Sequence, residues 1–144
     1  MARVKLDLPD KFDFSTEIPV RITDINYGGH VGNDAVLSLT NEARVRFLKA
    51  KGFSEGDVGG PGLLMSDAVI VYKSPAVYGD LLRIQIALSD VGGYGFHLVY
   101  KLTNRETGKE VARVKTGMAF YDYDEGKLVK ASQRFSSVFC VDAT

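Results

Sequence analysis

The 144-residue chain has one cysteine, Cys140, no tryptophan, four prolines and two histidines. A single thiol excludes an internal disulfide framework and any multi-cysteine metal site. Cys140 therefore reads as structural, and a reducing compartment, by default the cytoplasm, is the expected setting. An excess of charge of either sign is also missing, because 18 Lys plus Arg balance 18 Asp plus Glu. Without a global basic field, neither nucleic acid nor a membrane surface is an expected partner, and an anionic ligand must meet a local patch. No apolar run is long enough to span a bilayer, and the opening MARVKLDLPDKF alternates charged and apolar residues where a signal peptide would have a continuous apolar core.

What is present fits one domain over residues 1–144, with 45% hydrophobic residues to fill one core. Residues 16–24 place Ile18, Val20 and Ile22 on one side at period two, which predicts a half-buried strand. Residues 26–33 (NYGGHVGN) hold three glycines and predict a shaped loop. Residues 34–51 contain neither Gly nor Pro, follow the candidate caps Asn33 and Asp34, and stop at Gly52, where a left-handed C-terminal cap is expected. That predicts one helix whose apolar positions cover more than a narrow stripe, so its first half should be buried. Residues 52–62 carry five glycines and a proline and predict a flexible loop.

Strands are then expected over residues 63–73, 81–89, 95–103 and 109–123, with turn chemistry at 104–109 and 124–127 pairing neighbours as antiparallel hairpins. A strand, a long helix and then a run of strands indicate an α+β domain in which one antiparallel sheet wraps a central helix.

The stretch RITDINYGGHVGNDAVLSLTNEARVRFL resembles the opening of the 4-hydroxybenzoyl-CoA thioesterase-like hotdog family, whose usual form is close to D-x-D-x-x-G-H-V-N-N followed by a helix bearing E-A-R. Asp24, Gly29, His30, Val31 and Asn33 match, as do Glu42, Ala43 and Arg44. The downstream LLMSDAVIVYKSPAVYGDLLRIQIALSDVG is similar too, so the resemblance covers roughly residues 16–130. It implies a hotdog fold and an acyl thioesterase acting on coenzyme A or acyl-carrier thioesters, with no cofactor. It also implies a homodimer or homotetramer with acyl sites between subunits. Two positions depart from the pattern: Asn26 replaces the aspartate that is catalytic in the best-known branch, and Gly32 replaces the first asparagine of the N-N pair.

An amide cannot act as a general base or carboxylate nucleophile. Thioester hydrolysis also needs donors for the oxyanion and a group that activates water. The backbone amides of Val31, Gly32 and Asn33, at a glycine-containing loop entering a helix, are the candidate donors, with Asn33 favoured and Gly29 shaping the approach. Glu42 is one candidate base, since Asp34, Ser38 and Glu42 recur every four residues as a polar stripe. His30 is the other, because an imidazole titrates at about 6.5. Asn26 could then orient water or hold the thioester oxygen.

Each candidate has a purely structural reading beside it. His30 could only bond the loop, Glu42 could pair with Arg46 one turn on, Asp24 could anchor the loop rather than act, and Asn33 could be a helix N-cap. A non-catalytic acyl-thioester binding module is the alternative function, permitted by Asn26. His97 has no second histidine at ligand spacing, so no metal is expected. The GGYG run at residues 92–95 lacks a strand-to-helix context and predicts a bend rather than a phosphate loop.

Overall fold

The computed structural model describes residues 2–139; Cys140 lies outside them. Strand β1 (Phe14–Pro19) leads through a single 3-10 turn (Ile22–Asp24) into helix α1 (Asn33–Ala50). Strands β2 (Gly62–Tyr72), β3 (Leu81–Ser89), β4 (Gly95–Asn104) and β5 (Glu110–Asp122) follow, then a short β6 (Lys127–Leu128) and helix α2 (Gln133–Val138). The sheet is antiparallel in the order β1-β3-β4-β5-β2, with β6 paired to the end of β5. This is the expected α+β hotdog arrangement, with α1 lying in the concave face of the sheet.

Alternation explains the core. Phe96, Leu98, Tyr100 and Leu102 on β4 are buried in the inner row, while His97, Lys101 and Thr103 alternate with them on the outer face and are only partly covered; Val99 in that outer row is buried as well. Helix α1 meets the inner row with Val36, Leu39, Ala43 and Phe47, all buried. Its apolar surface is broad because sheet curls round it on more than one side.

The expected first strand is shorter than its pattern. It ends at Pro19, and Ile22 is 68% exposed rather than in the buried row. The reason is local. Asp24 Oδ2 accepts from the Arg21 backbone N–H at 2.8 Å, and this bond turns the chain out of the extended path.

The C-terminal end of α1 closes as anticipated. Gly52 takes φ +82°, its N–H donates to Lys49 O, and Phe53 N–H reaches back to Leu48 O at 2.8 Å. The glycine-rich segment after it is better anchored than its composition suggests: Val58 is fully buried, and Glu55 Oε1 accepts from Arg44 Nε at 2.6 Å. Strand β2 is the last of the sheet and carries a bulge at Ser66. Gly117 sits opposite because the Ser66 and Asp67 side chains occupy the space a Cβ there would need. Helix α1 packs towards β1, β3 and β5, leaving the inner side of β2 partly open, with Ala68 and Tyr72 exposed.

Candidate active site

The loop between the 3-10 turn and α1 is built by Asn26. Its Oδ1 accepts from Gly28 N–H at 3.0 Å and from His30 N–H at 3.4 Å, and its own N–H donates to His30 O at 2.8 Å. Gly29 closes the turn at φ +83°, a conformation that a side chain would strain, and its N–H donates to Asn26 O. With the carbonyl end of Asn26 held by the loop, its NH2 end is the part free to donate.

Asp24 is 4% exposed and fully engaged. Beyond the Arg21 backbone bond, its carboxylate accepts from Arg21 Nε at 3.3 Å and Nη2 at 3.2 Å, which raises the guanidinium pKa. It anchors the entrance of the loop.

Two of the three expected oxyanion donors are already used. Val31 N–H donates to Ala76 O at 2.8 Å, tying the loop to the segment after β2, and Gly32 N–H donates to Asp24 O at 2.9 Å. Both are corrections: long-range pairing consumes amides that looked free in the sequence. Gly32, not Asn33, is the N-cap residue, and its carbonyl accepts from Ala35 and Val36. Asn33 and Asp34 are therefore the first helical residues. Among the described residues, no acceptor takes their N–H groups, which face the open end of the helix.

A cavity of about 360 Å³ opens beside this helix start. Asn26, His30, Val31, Asn33 and Val36 line one side, and residues 72–76 with Val111 line the other. His30 is exposed and makes no side-chain hydrogen bond among the described residues; only its backbone shapes the loop. Tyr72 joins the two walls, its hydroxyl donating to Asn33 O at 2.9 Å. Burial, with the Asp34 charge second, raises the pKa of that phenol.

Glu42 does not line the cavity. Its carboxylate, 47% exposed, pairs with Arg46 Nε at 3.2 Å, and Arg46 Nη1 continues to Thr16 Oγ1 and Glu17 O on β1. Position 42 lies two and a half turns beyond Asn33 on the opposite side of the helix, so within one chain it is turned away from His30.

Residues 72–76 were not among the expected site residues. Their signal in the sequence was a strand ending in Tyr72 with a Pro three residues on, which says "turn" and nothing about what the turn faces. His97 lies on the outer face opposite Ser89 and Gly117, with Nδ1 at 3.5 Å from Asp90 Oδ2. Residues 92–95 form the expected bend, with Gly92 N–H on Gly95 O. Among the described residues, no three of His, Cys, Asp or Glu gather as metal ligands, and no helix is long and apolar enough to cross a membrane.

The thioesterase-like superfamily matches residues 20–139. A search of curated proteins gave no match. Among solved structures, a 1,4-dihydroxy-2-naphthoyl-CoA thioesterase from Synechocystis superposes with a TM-score of 0.81 at 24% identity, covering 88% of this chain and 95% of that one. A probable thioesterase from Escherichia coli gives 0.71 at 22% identity, over 88% and 96%. One from Bartonella henselae gives 0.73 at 21%, over 85% and 100%. These likenesses establish the fold, and the family match covers most of the chain. The protein belongs to the thioesterase-like superfamily and is a hotdog-fold enzyme of the thioester hydrolase class.

Proposed function

We propose that the chain hydrolyses acyl thioesters of coenzyme A or a related pantetheine carrier, with His30 as the general base. The observation that carries this reading is the cavity that sets His30 and Asn26 against the open start of α1. An imidazole nitrogen takes a proton from water as its oxygen attacks the thioester carbon. The N–H groups of Asn33 and Asp34 and the Asn26 NH2 stabilise the oxyanion. Collapse expels the thiolate, and the imidazolium returns the proton to sulfur. In this reading Asn26 serves as a donor, a role an ionised aspartate could not fill. Gly29 and Gly32 let the backbone approach the ligand, and Val31 offers it an apolar wall. Asp24 holds the loop in place. Glu42 enters only if a second subunit brings it to the site.

The assembly we propose is a homodimer or homotetramer. Among the described residues β2 pairs on one side only, with β5, and its inner row is incompletely covered by its own helix. A neighbouring subunit on that edge would close the acyl end of the cavity.

The test is thiol release from a panel of aliphatic and aromatic acyl-CoAs. The aromatic members belong in it because one solved neighbour is named for an aromatic acyl-CoA. The expected result is turnover by the wild type and a kcat lowered by about 10²-fold or more in His30→Ala, with an unchanged melting temperature. Inactivity across the panel with saturable acyl-CoA binding would instead identify a non-catalytic binding module. The lack of any carboxylate among the cavity-lining residues is what keeps that second reading in view.

A further inference from the structure

A second cavity, of about 300 Å³, lies against the first. It is lined by Arg3, Val4, Lys5, Leu6 and Asp7 of the N-terminal strap, together with Val71, Lys73 and Arg113. Lys73 lines both cavities. The strap forms no strand and is fixed by two arginine-to-carbonyl bonds: Arg3 Nη2 donates to Tyr72 O at 3.3 Å, and Arg113 Nη1 to Leu6 O at 2.9 Å. Tyr72 therefore touches both places, with its hydroxyl on the helix start and its carbonyl on the strap.

The charges in this cleft are not equivalent. Arg113 is held by Glu110 through bonds of 2.6 and 3.0 Å, and Asp7 also lies towards it. Arg3, Lys5 and Lys73 form no ion pair among the described residues, although Lys73 feels the field of Glu110. In a chain of zero net charge, three cations with no ion pair among the described residues, of which Arg3 also donates to the Tyr72 carbonyl, form a local positive patch beside the candidate acyl cavity. An anion entering the cleft meets them without breaking an existing pair.

We infer that Arg3, Lys5 and Lys73 form the phosphate-binding limb of the site, so that a ligand's thioester lies beside His30 while the phosphate of its pantetheine carrier lies under the N-terminal strap. This inference rests on the proposed thioesterase reading. It adds which residues tell a phosphorylated carrier from a bare acyl thiol. The limb acts on binding and takes no part in the chemistry, so it belongs to KM and not to kcat.

The experiment is calorimetric titration with coenzyme A, 4′-phosphopantetheine and pantetheine, on the wild type, Arg3→Ala/Lys5→Ala and Lys73→Gln. Thiol release from acyl-CoA and acyl-pantetheine is measured in parallel. Arg3 and Lys5 are exposed on the strap, so the double variant should fold. Coenzyme A affinity should fall about tenfold in both variants, with pantetheine binding unchanged in the double variant. The KM for acyl-CoA should rise to match in the double variant, while kcat and acyl-pantetheine turnover hold. A dependence shared by 4′-phosphopantetheine assigns the phosphate that a carrier protein also presents; dependence with coenzyme A alone assigns the nucleotide phosphates.

Equal coenzyme A affinity in the wild type and the double variant would overturn the limb, as would an equal loss for pantetheine. If the wild type releases no thiol but binds coenzyme A through the strap, the hydrolysis reading falls and the limb stands. No coenzyme A binding by the wild type would overturn both.

Discussion

The two ends of helix α1 differ in how their polar groups are matched. At the start, the N–H groups of Asn33 and Asp34 have no acceptor among the described residues, and His30 beside them makes no side-chain bond. About three turns further on, all three nitrogens of the buried Arg44 guanidinium are engaged: Nε with Glu55, Nη1 with Tyr100 Oη at 3.1 Å and Nη2 with Asn41 Oδ1 at 2.9 Å. Tyr100 Oη also meets Thr116 Oγ1 at 2.9 Å. Burial pushes the phenol pKa up and keeps it neutral. Burial also works against the Arg44 charge, but Tyr100 and Glu55 outweigh it, and the guanidinium pKa is raised. Buried polar groups whose bonds are complete fasten the helix to the sheet and to the 52–62 loop. Open donors beside a cavity are free to bind something that arrives later.

If the satisfied end is structural, removing Arg44 should cost stability before it touches chemistry. Arg44→Ala leaves a cavity and strips Glu55, Tyr100 and Asn41 of a shared partner. Glu55 is 38% exposed and can turn to water, so the expected loss is at the low end for a buried pair, about 3 kcal/mol in urea unfolding. The fraction that remains folded should keep its KM. A KM that rises severalfold at full foldedness would break the division between the two ends.

A smaller effect is expected where the open end is braced. Tyr72→Phe removes one hydrogen bond to Asn33 O at a partly exposed site, which should cost about 0.5–1 kcal/mol. The same change lets the first turn of α1 drift relative to the wall formed by residues 72–76. A kcat lowered about tenfold with little change in KM is the expected signature of lost positioning. Unchanged kcat would show that the helix start holds its place without the phenol.

Much of this architecture could be read from the chain. The strand expected over residues 95–103 is β4, and Gly52 marked the end of α1 because only the left-handed region lets Phe53 N–H turn back to Leu48 O. The turn from Asn26 to His30 was legible for the same reason, its shape being set by contacts within four residues. What escaped depends on partners far along the chain. Val31 looked like a free donor until Ala76 O, 45 residues away, took its amide. The second wall of the cavity escaped in the same way, since nothing local to residues 72–76 says that they face His30. Ile22 fitted the strand period, yet one carboxylate bond from Asp24 was enough to turn it outwards.

Glu42 gives the sharpest test of the comparison with the smallest expected effect. In sequence it was a candidate base, because a polar stripe on a largely buried helix invites a catalytic reading. In the fold it reaches Arg46, which in turn grips Thr16 and the Glu17 carbonyl, so its surroundings are those of a surface ion pair on the β1 side. Glu42→Gln keeps the shape and removes only the charge. An exposed i,i+4 pair contributes about 0.3–0.5 kcal/mol, so the melting temperature should barely move, and kcat should stay within about twofold of the wild type. A kcat reduced about 10²-fold with the fold intact would require the carboxylate to act across a subunit boundary, on the loop of a neighbouring chain. In that case the open start of α1 would be half of the site, the base role would pass from His30 to Glu42, and assembly would become a condition of catalysis.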